Sequence, residues 1–124
     1  MAICNLEARF ALAVKCGDQT HAIIPQESPH ITRGETIYFY TARGTGACHL
    51  LGVGLCISVC PIEIKDNIIN LDGVPMVGWE IKRLVVDSGF ETKEDLLRFF
   101  RDQYGLPFRG VFIEWNPTWV DSTD

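Results

Sequence analysis

The spacing of apolar positions divides this chain into short elements. Residues 6–16 are good helix formers, and Gly17 stands where a C-terminal glycine would end the helix. Residues 20–24 read as a short strand closed by Pro25, and turn formers dominate residues 26–34. Thr36–Thr41 is β-branched and aromatic throughout, the clearest strand signal in the chain. After a loop at Arg43-Gly44-Thr45-Gly46, a long strand is expected from Ala47 to about Val59, its glycines implying bulges or tight curvature. Pro61 is expected to interrupt its pairing. Isoleucines 62, 64, 68 and 69 then flank Lys65-Asp66-Asn67, a hairpin signal, and Asp72-Gly73 turns the chain again. Val77, Ile81, Leu84 and Val85 fall at helical spacing up to Gly89. A second such helix starts at Thr92, where Thr-Lys-Glu-Asp resembles a capping box with Asp95 in the reciprocal position. Leu96, Phe99, Phe100 and Tyr104 form its stripe, and Gly105 stops it. Residues 110–115 make a last strand, and residues 116–124 read as a polar tail.

Helix, four or five strands, two helices, last strand: this order indicates an α+β fold rather than βαβ winding. The glycines favour a small curved barrel of five or six strands flanked by two or three helices. At 124 residues the chain fits one domain, expected over residues 1–115. The longest apolar run, residues 50–59, is broken by Gly52, Gly54 and Ser58 and is too short to span a bilayer. Residues 1–10 carry Glu7 and Arg9 and no basic lead-in, unlike a signal peptide. A cytoplasmic location with no membrane partner is therefore expected.

The five cysteines, Cys4, Cys16, Cys48, Cys56 and Cys60, contain no Cys-x-x-Cys pair. They are expected as buried, reduced thiols, and a regular strand would put Cys48, Cys56 and Cys60 on one face. His30 and His49 have no partner at metal spacing, so neither a metal nor a cofactor is expected. Net charge is −5, with 16 acids against 11 bases. A strong nucleic-acid binder gains its affinity from phosphate contacts, and no basic stripe is present to make them.

Several segments bear a likeness to a known family. These are Phe10-Ala-Leu-Ala-Val-Lys-Cys-Gly17, Arg33-Gly-Glu-Thr-Ile-Tyr-Phe-Tyr-Thr41, Cys56-Ile-Ser-Val-Cys-Pro-Ile-Glu-Ile64 and Tyr104-Gly-Leu-Pro-Phe-Arg-Gly-Val-Phe-Ile-Glu-Trp115. Over about residues 8–115 the chain resembles the ASCH branch of the PUA-like superfamily, in particular the short ASCH proteins of phages and prophages. The resemblance implies a PUA-like β-barrel.

It also implies a departure. The family signature Gly-x-Lys-x-x-Thr-Ile-Arg reads here Gly17-Asp18-Gln19-Thr20-His21-Ala22-Ile23-Ile24. In amidohydrolase members, that lysine and threonine act with an acidic residue on an acetylated cytidine. Gln19 cannot serve as a base and Ala22 has no hydroxyl, so this chemistry is expected to be lost. Thr20 and His21 are the residues from which a rearranged pair would be built, with Asp87 and Glu80 the acids nearest by position. The expectation is a catalytically inactive module holding a nucleoside, nucleotide or RNA-related ligand through Gln19, Thr20, His21, Arg33, Tyr38, Tyr40, Arg43 and Thr45. Gly44-Thr45-Gly46 could add backbone N–H donors for an anion. Two other readings stay open. One is an acidic protein-interaction module that inhibits a host nucleic-acid-handling or defence system, anti-CRISPR-like or otherwise. The other is a residual amidohydrolase or ribonuclease.

Overall fold

A computed structural model of the chain describes residues 2–25, 30–42, 46 and 48–118. Its elements are β1 (Ala2–Leu6), α1 (Ala8–Lys15), β2 (His21–Pro25), β3 (Thr36–Thr41), β4 (His49–Ile64), β5 (Ile69–Leu71), β6 (Val74–Pro75), α2 (Gly78–Asp87), α3 (Lys93–Gln103) and β7 (Phe108–Pro117). The fold is α+β: seven strands in one curved, unclosed sheet, with three helices. No helix among the described residues is long and apolar enough to cross a membrane.

The strands outnumber the five or six expected because β1, ahead of the first helix, and the short β6, after the Asp72-Gly73 turn, lie where no strand was expected. β1 pairs parallel with β3, Cys4 opposite Phe39, and buries Ala2, Cys4 and Leu6. Only then does α1 begin, two residues later than its propensity suggests. At the other end β7 continues through Asn116 and Pro117, which pair with Leu55 and Gly54, so the polar tail does not start at residue 116. Pro61 fails to interrupt β4. It lacks an N–H, yet it stays opposite Val111 of β7, and its carbonyl accepts from the Asp72 N–H at 2.8 Å.

The sheet runs β1-β3-β4, and β4 is long enough to pair β3 and β5 along successive stretches of its length. β7 lies beside β4 and carries β2 on its other edge. Two register shifts bend β4, one between Phe39 and Tyr40 of its partner β3, the other between Cys56 and Ser58. The two shifts break the alternation on which the shared face of the cysteines depended: Cys56 is buried, Cys60 half-buried, and Cys48, just ahead of β4, exposed. Cys16 is also exposed, so burial holds for only part of the set. All five are free thiols. Burial pushes the Cys4 thiol up to about 12, which keeps it protonated and inert.

β7 buries residues on both faces. Trp115 meets Phe39 on one face, the ring centroids 4.2 Å apart. Phe108, an odd number of residues away and so on the opposite face, meets Phe100 of α3 at 4.7 Å. Gly54 is what lets Trp115 in: a Cβ there would lie 2.5 Å from the indole Cδ1.

α1 and α3 are tied to each other by Arg9 of α1. Its guanidinium reaches Asp95 at 2.7 and 3.5 Å and lies over the rings of Phe10, Phe90 and Phe99. Asp95 also shows how α3 starts. Its N–H donates to Thr92 Oγ1 at 3.0 Å, as a capping box requires, but its carboxylate accepts from the N–H of Glu91 rather than of Thr92. The Arg9 hydrogen bond holds the Asp95 carboxyl below the ordinary value of 3.8. A depressed carboxylate stabilises the fold above its unfolded pKa and ceases to do so as pH falls through the folded one. Asp95→Asn is therefore expected to be less stable than the parent at pH 7, by under about 1 kcal/mol because the pair is part-exposed. The gap should close as the pH falls below the ordinary aspartate value and through the lowered one of the fold. Urea titrations at pH 7 and in acid measure it, and a gap unchanged in acid contradicts the assignment.

Candidate functional site

The residues singled out in the sequence are dispersed by the fold. Gln19 precedes β2 and is only 5% exposed. Its Nε2 donates to the carbonyls of His21 at 2.9 Å and Ser88 at 3.3 Å, tying the start of β2 to the end of α2. The small cavity beside it is walled by Leu6, Phe10, Ala22, Ile23, Phe90, Phe99 and Phe100 and holds about 20 Å³. No nucleobase fits there. Gln19 thus holds β2 to the end of α2 through its side-chain amide.

Thr20 and His21 do stand together, with Thr20 Oγ1 and His21 Nδ1 3.3 Å apart. The acid that completes the row is Glu114, absent from the sequence reading: its Oε2 lies 3.5 Å from His21 Nε2. The pairing of β2 with β7 puts these two residues directly opposite, on the face that Phe112 also occupies. The His21 ring stacks on Phe112, centroids 5.3 Å apart and planes 16° apart. Both polar contacts are long, so the row reads as a held imidazole rather than an activated nucleophile.

Phe112 also forms the floor of a groove between α2 and the sheet. Leu71, Met76, Trp79, Glu80, Arg83, Leu84 and Asp87 line the rest of its roughly 210 Å³. Trp79 is 73% exposed, a large apolar cost left unpaid by the fold itself. Glu80 accepts from the N–H of Val77 at 2.9 Å and so caps α2, while Asp87 lies 3.5 Å from Arg83 Nε, one turn back on the same helix. The two acids expected near His21 therefore belong to the wall facing its ring stack, although it is Glu114 that meets the imidazole.

Tyr38 and Tyr40 share a face, as their alternation requires, but on a different part of the sheet. They point away from buried Ile37 and Phe39 and lie opposite Val53 and Leu50 of β4. β4 and β7 separate them from His21, on the order of 20 Å from strand spacing and offset. Arg33 is exposed in the turn before β3, beside Gly34, whose N–H donates to the Cys56 carbonyl. Arg43 and Thr45, with Gly44, lie outside the described residues. Among the described residues no three His, Cys, Asp or Glu side chains converge to hold a metal ion.

The charges around the groove are Glu80, Asp87 and Glu114 against Arg83. An excess of carboxylates repels phosphate, so binding to generic duplex DNA or RNA at physiological salt is expected to be no tighter than micromolar. A filter or anisotropy titration giving sub-micromolar affinity with a steep salt slope would overturn this, since such a slope needs many phosphate contacts. Set against family models, curated protein sequences and solved structures, the chain matches none of them.

Proposed function

We propose that this chain is a PUA-like, ASCH-type module of the cytoplasm that binds the planar ring of a nucleoside in the α2–β7 groove and performs no acyl transfer at the family position. One observation carries the reading: an exposed indole, Trp79, shares a groove with Phe112, itself backed by the His21 ring. Aromatic faces bind any base by stacking. The groove is smaller than the roughly 300 Å³ at which drug-sized sites begin, which suits one ring. Arg83 and Asp87 supply a donor and an acceptor for ring-edge groups. The carboxylate excess favours a nucleoside over a nucleotide or an RNA strand among the ligands that the resemblance suggests. The absence of acyl transfer in this reading rests on Ala22 and Gln19, which supply neither hydroxyl nor base.

The test is an NMR titration with the four ribonucleosides. Shifts are expected at the Trp79 indole N–H, at Phe112 and at His21. Trp79→Ala should weaken binding about tenfold, within the range for one stacked base; being exposed, that residue can be removed without opening the core. Groove signals that stay put at millimolar nucleoside, or an affinity indifferent to Trp79→Ala, would sink the reading.

The protein-interaction reading draws on the same helix. Val77, Trp79 and Val86 are exposed apolar side chains on and beside α2 in a chain of net charge −5. A basic host protein with an apolar anchor, engaged to block a nucleic-acid-handling or defence system, fits that surface. Under this reading nucleosides leave the groove unmoved.

A further inference from the structure

The groove between α2 and the sheet joins aromatic faces to an excess of acidic side chains, and the two together select one kind of ring. Its aromatic surfaces are Trp79, which is largely exposed, and Phe112, which is backed by the stacked His21 ring. The face of an aromatic ring carries negative charge density and attracts a cation, an indole more strongly than a phenyl ring. Elsewhere the protein meets this attraction from within, since Arg9 lies over Phe10, Phe90 and Phe99. No such cation covers Trp79 among the described residues. The side chain best placed to do so is Arg83, one turn further along α2, and its Nε lies 3.5 Å from Asp87 instead.

The charges point the same way. Arg83 offsets Asp87, which leaves Glu80 on the groove wall and Glu114, two residues from Phe112 on the same face of β7. Glu80 accepts from the Val77 N–H and Glu114 faces His21 Nε2; neither has a lysine or arginine partner among the described residues. A neutral base would occupy the aromatic faces and leave this negative potential unused, and a phosphate would be repelled by it. A base that itself carries a positive charge uses both. We infer that the groove takes a cationic nucleoside, one whose base is alkylated on a ring nitrogen and so bears a delocalised positive charge. The inference rests on the nucleoside reading of the groove and narrows it. The charged ring stacks on the indole, with Glu80 and Glu114 as the acids that attract it. Leu71, Met76 and Leu84 complete the walls, and apolar walls strengthen the attraction by excluding water.

The experiment compares two isomeric methylated nucleosides on the full chain. At pH 7 3-methylcytidine is a cation and 5-methylcytidine is neutral, so the added methyl is common to both and the charge is not. Followed at the Trp79 indole N–H, 3-methylcytidine is expected to bind roughly tenfold more tightly, the scale of a cation–π contact reinforced by nearby acids. The margin should shrink as salt is added, because Glu80 and Glu114 are part-exposed. Glu80→Gln combined with Glu114→Gln removes both charges, while glutamine keeps the acceptor that caps α2. In that double variant the margin should fall to about threefold or less, with 5-methylcytidine bound as before. Trp79→Ala should weaken both ligands, and the cation more. If the isomers bind equally and both need Trp79, the groove holds nucleosides without selecting charge, and the inference falls alone. If neither they nor the unmodified nucleosides move the groove signals, the nucleoside reading falls and the inference with it. A tenfold margin that survives in the double variant also overturns the inference, since the selection then arises elsewhere.

Discussion

Replacing Phe100 with alanine is expected to lower stability by about 3–5 kcal/mol, the range for emptying a buried phenylalanine site. The ring is 1% exposed. It touches Phe90 at 6.0 Å, Phe99 at 5.2 Å, Tyr104 at 5.8 Å and Phe108 at 4.7 Å, and so joins α3 to β7 and to the segment after α2. None of these neighbours is placed to refill the space cheaply. Phe99 and Phe90 are already engaged with Phe10 of α1, and Phe108 is fixed in a strand paired on β4. Removing Phe100 therefore leaves a cavity rather than a collapse, which puts the cost at the upper part of the range. Chemical denaturation measures it. A midpoint shift worth under about 1 kcal/mol would mean that the helix presents another face to the sheet.

Phe100 was legible in the sequence because α3 is a surface helix with one apolar stripe, the case in which periodicity reports burial directly. β3 was legible for a similar reason: alternating Ile37, Phe39 and Thr41 face the core, with the tyrosines opposite. β1 was not. Ala2 to Leu6 carries a cysteine and an asparagine, has little strand propensity, and is held by parallel pairing to β3, a contact with no local signature. The limits of β7 were hidden because it buries both faces, so alternation fades where Phe108 packs on one face and Trp115 on the other. The site follows the same division. Thr20 and His21 are neighbours in the chain and could be paired on sight. Glu114 is joined to them only by the register of β2 on β7, which no spacing within either strand foretells. Trp79 did leave a trace. It falls two residues before Ile81, off the stripe of Ile81, Leu84 and Val85, and a tryptophan on the polar side of a helix asks for a partner.

Gly110→Ala is expected to be at least as damaging, for the opposite reason. Gly110 is a residue of β7 flanked by strands on both sides, Pro25 of β2 on one and Ile62 of β4 on the other. A Cβ there would lie 2.2 Å from the carbonyl oxygen of Ile24 and 2.7 Å from the ring of Phe108. The first clash is with backbone, which cannot rotate away. The second is with a ring held against Phe100 and Tyr104. Overpacking of an adaptable site costs about 1–3 kcal/mol. Here relief requires β2 to separate from β7, which also breaks the bond from the Trp115 N–H to the Thr20 carbonyl and moves His21 off Phe112. The variant should therefore lose about 3 kcal/mol or more, and its amide spectrum should show β2 displaced while α3 keeps its shifts. Gly78→Ala is the control. Nothing lies within 4 Å of a Cβ at Gly78, the first residue of α2, and alanine is the better helix former. That variant should equal or exceed the parent by up to about 1 kcal/mol. If the two alanine substitutions prove equally harmless, β2 does not approach β7 as closely as the register requires, and the His21–Glu114 pair falls with it.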